Sequence, residues 1–156
     1  MIKQSWYKGD SFMEHVVYLD AKAKELDKLG DGEKCMIIRG ATGRKLPYGR
    51  VFAGETLWFI ENSGDGMVRG KAIVKNVLNS AKLEDSEALG LISDYQAKLC
   101  LTPDQIKRWG NKRYLVLIEV EKYLGVTPFR INRSPFGNMD DWLPVEAIGD
   151  IMELLC

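Results

Sequence analysis

Apolar residues fall in short runs of strand length, separated by glycine-rich or strongly charged stretches. His15-Val16-Val17-Tyr18-Leu19-Asp20 is rich in β-formers and predicts a strand. Ala21 to Leu29 is rich in Ala, Lys, Glu and Leu, has Leu26 and Leu29 three apart, and is followed by Gly30. That pattern predicts an amphipathic helix closed by a glycine. Cys35 to Arg39 predicts a second strand, and the glycines and proline of Gly40 to Gly54 a long loop. Glu55 to Glu61 reads as a mostly apolar strand and Ser63-Gly64-Asp65-Gly66 as a hairpin turn. In Met67 to Leu78 the first half alternates, with Val68, Gly70 and Ala72 on one face and Arg69 and Lys71 on the other. Glu84 to Leu99 predicts an acidic helix. Thr102-Pro103-Asp104-Gln105 opens another, with Thr as N-cap, Pro at the first helical position and Gln at the third. Arg113 to Tyr123 is the most regular strand, Phe129 to Arg133 a last strand, and Pro144 to Leu154 a short helix. Strands joined by hairpins and loops, with helices inserted, indicate an α+β domain built on a small twisted barrel.

Composition narrows the class. With 156 residues, 46% hydrophobic and 28% charged, the chain reads as a single globular domain over residues 1–156, with disordered and fibrous classes excluded. No run of 18 apolar residues occurs, and Met1 to Trp6 lacks the apolar core of a signal peptide, so no membrane association is expected. Cys35, Cys100 and Cys156 are odd in number and form no CxxC, which points to reduced thiols of a cytoplasmic protein and to no zinc site. No cofactor is expected. The single histidine, His15, excludes sites that need two.

Charge changes the picture more. Lys and Arg together equal Asp and Glu at 22 each, so bulk charge does not coat a nucleic acid. The charges are nevertheless segregated. Residues 39–82 carry eight basic against three acidic groups, and residues 107–133 seven against two. The stretch 134–156 has five acids and no base. One reading is alternating solvated surface; the other is a basic face that meets an anion.

Gly32-Glu33-Lys34-Cys35-Met36-Ile37-Ile38-Arg39 follows a predicted helix and enters a strand. It resembles the G-x-K-x-x-E-x-R signature of the ASCH domain, a member of the PUA-like superfamily. Ala53-Gly54-Glu55-Thr56-Leu57-Trp58-Phe59-Ile60 looks like the superfamily's glycine, acid and apolar strand. Gly66-Met67-Val68-Arg69-Gly70-Lys71-Ala72 is similar to its returning strand with an internal glycine, and Tyr114 to Val120 sits at its long closing strand. The resemblance spans about residues 14–123 and lies in the order of elements.

It implies an α+β, PUA-like twisted β pseudobarrel with inserted helices and a groove beside the G-x-K strand. Related domains use such grooves for RNA or for modified bases. Some small ASCH proteins are amidohydrolases acting on acylated cytidine, with a Lys, a Thr and a Glu as working residues. Gly32, Lys34 and Arg39 match by position. The sixth motif position is Ile37, where the family has Glu and its amidohydrolases Thr. An isoleucine neither attacks a carbonyl nor shuttles a proton. Thr42 and Glu61 are the residues that could take those roles instead.

Arg39, Arg44, Lys45 and Arg50 lie in a stretch without an acid, among Gly40, Gly43 and Gly49, which let backbone approach a ligand closely. Forked and pointed cations there suit phosphates, and Tyr48 suits stacking on a base, or packing back on the barrel. Arg130 to Trp142 interleaves basic, amide and aromatic groups. Arg133 and Asn138 are its candidate edge readers, while Phe136 and Trp142 are either a platform or core. Asp140 and Asp141 alone make no metal site. Trp58 reads as core, and Trp109, beside Lys107, Arg108 and Lys112, as an anchor under a basic surface.

The sequence therefore points to a nucleic-acid-binding domain, RNA before DNA, with Lys34, Arg39, Arg44, Lys45, Tyr48, Arg50, Arg133 and Asn138 as binding residues. The alternatives are an amidohydrolase acting on a modified nucleoside and a protein-interaction module. Lys34 and at least two basic groups of the loop are expected to line one solvent-open cleft. Lys34 and Arg39 are five apart, so strict alternation places them on opposite faces of the strand.

Overall fold

The computed structural model describes residues 12–136 and 140–153. Six strands form one sheet: β1 (Glu14–Leu19), β2 (Met36–Ala41), β3 (Thr56–Glu61), β4 (Met67–Asn79), β5 (Tyr114–Arg130) and β6 (Trp142–Val145), in the order β2-β5-β4-β3-β1-β6. The β1–β3 pair is parallel and the others antiparallel. The sheet curls into a half-barrel with three helices against it, α1 (Glu25–Gly30), α2 (Asp85–Leu99) and α3 (Pro103–Trp109). The result is an α+β pseudobarrel.

The curl is set by β4 and β5. Their ladder shifts register at Val68/Gly70, Lys71/Ile73 and Val74/Asn76, and each bulge adds twist. Gly70 is required in this stretch. The Tyr123 ring lies so close that a Cβ on residue 70 would stand 2.5 Å from its hydroxyl oxygen.

Alternation on β2 divides the interior. Ile37 points into the barrel with Val17, Phe59, Val116 and Trp142. Met36 and Ile38 point outward, under the Ile92 and Leu99 of α2 and the Trp109 of α3. Ile37 is fully buried core.

Three sequence expectations need correction. The first helix does not begin at Ala21. The Asp20 carboxylate accepts from Ala23 N–H at 3.2 Å, Lys24 takes a positive φ of 57°, and helix starts only at Glu25. Phe129 and Arg130 form no separate strand but end β5, which runs on along β4. The helix expected over Pro144 to Leu154 does not form at its start: Trp142 to Val145 is strand, because the outer edge of β1 offers a free ladder to a run of apolar residues. Pro144 is tolerated there since β6 is itself an edge. Only Ile148–Asp150 is helical, as a single 3-10 turn. The remaining boundaries agree to within two residues, including the Thr102–Gln105 capping box. Among the described residues no helix is long and apolar enough to cross a membrane, and no cluster of three metal-ligating side chains occurs.

Candidate nucleic-acid interface

The half-barrel leaves a seam between its terminal strands β2 and β6, and Arg39 spans it. Arg39 leaves β2 on the same face as Ile37, so its guanidinium reaches the barrel mouth. There Nη1 donates to its neighbour Ile38 O at 2.8 Å and Nη2 to Tyr18 O of β1 at 2.6 Å. Its charge lies 5.7 Å from the Trp142 ring centre. Nε is 3.2 Å from Asp141 Oδ2, within ion-pair range. It is not aligned for a hydrogen bond with that oxygen or with any other described acceptor. Arg39 is 7% exposed.

A cleft runs along the seam in three connected parts. The innermost holds about 120 Å³ and is lined by Tyr18, Asp20, Glu25 and Asn62 on one side and by Gln105, Arg108 and Trp109 on the other. Arg39 and Asp141 form the wall it shares with a second part, of about 310 Å³, where Lys45, Arg108 and Lys112 converge. The third part, also about 310 Å³, runs past Tyr18 and Asp141 to Glu61, Ser63 and Arg133. Gly40 opens the second part. A Cβ there would stand 2.6 Å from the Leu115 side chain and 3.0 Å from that of Lys112. Its absence lets the Lys112 stem lie across β2.

The cleft thus gathers five cations from four segments: Arg39 on β2, Lys45 in the loop after it, Arg108 and Lys112 around the end of α3, and Arg133 after β5. The two basic segments of the sequence, distant along the chain, meet here. Arg108 lies 4.5 Å from the Trp109 ring centre and Arg133 lies 5.1 Å from that of Tyr18. Guanidinium and aromatic planes are therefore already associated.

Lys34 is not among them. It is 1% exposed and sits behind the cleft wall, ion-paired with Glu25 at 3.1 Å and donating to Leu99 O. Burial pushes its ammonium below the usual lysine value, and Glu25 pulls it back up. Burial also opposes the charge on Glu25. Lys34, the Asp20 N–H at 2.8 Å and Arg39 outweigh that and hold its carboxyl below the ordinary range. The expectation that Lys34 lines an open cleft is corrected: its carboxylate partner draws it inward.

The loop residues divide. Lys45 lines the cleft. Arg44 stacks instead between Tyr48 and Tyr114, at 5.6 and 5.5 Å from their ring centres. Tyr48 packs on the barrel core and donates to Ser80 O at 2.5 Å, so it offers no free platform. Arg50 and Thr42 are exposed and line no part of the cleft. Arg133 lines it; Asn138 lies outside the described residues. Trp142 is core, and Phe136 packs on the second apolar cluster, under β1 and β6. Sequence reading missed Tyr18, Asp20, Asn62 and Gln105 as cleft residues. The basic surface around Trp109 was the one signal for Arg108 and Lys112.

Beneath the seam lies a second polar network. Trp142 Nε1–H donates to His15 Nδ1 at 3.0 Å, and His15 Nε2 meets Glu55 Oε1 at 2.9 Å. An indole only donates, so Nδ1 is bare and the proton of the neutral ring sits on Nε2, facing Glu55. Glu55 also accepts from Met13 and Phe52 N–H, each at 2.9 Å. Burial lowers the His15 pKa, against the raising pull of Glu55.

No known family model and no curated protein matches the chain. Solved structures do. The chain is similar to the crystal structure of an ASCH protein from Zymomonas mobilis, with TM-score 0.60 and 14% identity over 82% of each chain. A serine-to-alanine variant of that protein gives 0.62 at 14% identity over 84% of each chain. A tyrosine-to-phenylalanine variant gives 0.59 at 15% over 75%. The fold is ASCH-like, a PUA-like pseudobarrel. Likeness at this identity is likeness of fold, and function has to be argued from the cleft.

Proposed function

We propose that this protein binds nucleic acid, RNA in preference to DNA, along the cleft at the β2–β6 seam. The observation that carries the reading is the convergence of Arg39, Lys45, Arg108, Lys112 and Arg133 on one cleft beside Tyr18 and Trp109. Cations contact phosphates without regard to sequence, and the partly exposed Tyr18 ring with Arg133 beside it offers a surface on which an unpaired base can stack. A cleft of a few hundred cubic ångströms admits single nucleotides but not a duplex, which favours a single strand. Asn62, which lines both the inner and the third part, can pair with a base edge or with a ribose 2′-hydroxyl, the group that distinguishes RNA.

The test is fluorescence anisotropy with a short labelled single-stranded RNA, and DNA of the same sequence, at two salt concentrations. Binding should weaken with salt, with a slope in log K of roughly −0.7 per neutralised phosphate. No binding at low salt, or binding indifferent to salt, overturns the reading and leaves a protein-interaction module as the better account. Incubation with N4-acetylcytidine should release no cytidine, because buried Ile37 fills the position of the family nucleophile.

A further inference from the structure

We propose that Asp140 and Asp141 are built-in competitors for the anion site of this cleft, occupying cations that a phosphodiester must take from them; the competition rests on the nucleic-acid reading above. Both carboxylates come from the acidic stretch 134–156, and both meet the basic cleft. Asp141 faces Arg39 Nε at 3.2 Å off the axis of a hydrogen bond, and Asp140 Oδ1 stands 4.0 Å from Lys45 Nζ. A guanidinium binds a carboxylate best through two parallel N–H bonds. Arg39 directs Nη1 and Nη2 to backbone carbonyls, and Asp141 meets it at Nε, without the paired geometry. The Lys45–Asp140 pair is long and has Lys45 70% exposed, which makes it weak; in the other pair Arg39 is buried, and it is the half-exposed Asp141 carboxylate that faces solvent.

The Asp141 carboxylate can yield without unfolding anything. Asp141 is placed by its backbone: Tyr18 N–H donates to Asp141 O at 3.0 Å, and the β1–β6 ladder continues from there with Val17 opposite Trp142. A phosphate can therefore displace the side chain while β6 keeps its register. The other acids of the inner cleft are engaged elsewhere. Glu25 is held by Lys34 and the Asp20 N–H, and the Asp20 carboxylate accepts from the Ala23 N–H. Asp140 and Asp141 thus set the threshold for anion entry. Together with Asp20, Glu25 and Glu61 they balance the five cations of the cleft.

Anisotropy with a short labelled single-stranded RNA of mixed sequence compares the wild type with D140N, D140N/D141N, K45A, K45A/D140N and the control D150N, whose carboxylate lies outside the cleft. D140N/D141N should bind roughly three- to tenfold tighter, with a steeper salt dependence, while D150N is unchanged. The gain from D140N should shrink once Lys45 is already Ala, since the pair is then broken. If the double variant loses its thermal transition, D140N alone is read. RNA bound by the Asn variants but not by the wild type supports the competition most directly. Wild-type binding that the Asn variants leave unchanged, or an equal gain in D150N, overturns the competition and leaves the RNA reading standing. No binding by any variant overturns both.

Discussion

The two ends of β2 hold a lysine in opposite ways. Lys34, just before the strand, is buried, with Glu25 at 3.1 Å and a backbone carbonyl as acceptors. Lys45, in the loop after it, is largely in water, with its nearest carboxylate at 4.0 Å. Lys34 stands in the Gly32 to Arg39 segment that carries the family resemblance, and Lys45 in the basic, glycine-containing loop that follows it. The difference is what the rest of the fold brings to each. At Lys34, α1 delivers a carboxylate and the C-terminal end of α2 a carbonyl, so desolvation is compensated and the cation becomes architecture. At Lys45 nothing encloses the ammonium, and it stays available to a ligand. A buried cation with a full set of partners is poor evidence for a binding site; a partly satisfied one at a cavity wall is better evidence.

The sharpest way to break this contrast is Lys34→Ala. Removing one partner leaves the Glu25 carboxylate buried and uncompensated, which costs about 3–5 kcal/mol. Urea denaturation should show that loss. Lys45→Ala should change stability by less than about 0.5 kcal/mol. A Lys34 variant that keeps its stability and loses RNA would reverse the assignment of the two lysines.

His15 extends the interior half of the contrast to pH. Its native pKa is lowered, so the unfolded chain takes up a proton that the folded chain refuses. Stability is therefore present above the unfolded value of about 6.5 and is lost as the pH falls from there toward the native value. Protonated Nδ1 would also face the Trp142 N–H donor to donor. Thermal melts across this range should decline on the acid side, and His15→Gln should flatten that decline.

How much of this was legible in sequence follows from which interactions are local. The Thr102–Gln105 capping box, the Ser63–Gly66 turn and the alternation of β4 are read within a few residues, and they hold. Trp142 to Val145 was not legible as strand, because its partner is the edge of β1, more than a hundred residues away in the chain. The basic loop marked Lys45 correctly as a cleft cation but grouped it with Arg44 and Tyr48, which stack on one another and on Tyr114. Charge segregation marked both basic segments, yet only the fold showed that Arg108 and Lys112 meet Arg39. The inner cleft residues Tyr18, Asp20, Asn62 and Gln105 were not marked as one site, since they come together only from the end of β1, the end of β3 and α3.

The solvated half of the contrast is sharpened by Arg108→Ala and Lys112→Ala. Each removes a cleft cation, and each should weaken RNA binding about two- to fivefold. The salt slope should become shallower by roughly 0.7 for each phosphate that is no longer neutralised. Stability should move little, with the Arg108–Trp109 stacking setting an upper bound of about 1 kcal/mol. Unchanged affinity in both would remove the α3 end from the interface.

The smallest effect belongs to Arg50→Ala, and it tests both halves at once. Arg50 is exposed and lines no part of the cleft, so RNA affinity should stay within experimental error of the wild type. Its charge is nonetheless felt inside, where it is one of the influences lowering the His15 pKa. Without it the native pKa rises slightly, the folded chain accepts its proton sooner, and the acid-side loss of stability becomes shallower. The variant should therefore melt at the wild-type temperature near neutral pH and marginally above it below about pH 6. A severalfold loss of RNA affinity in the same variant would extend the interface along the loop beyond Lys45, away from the seam.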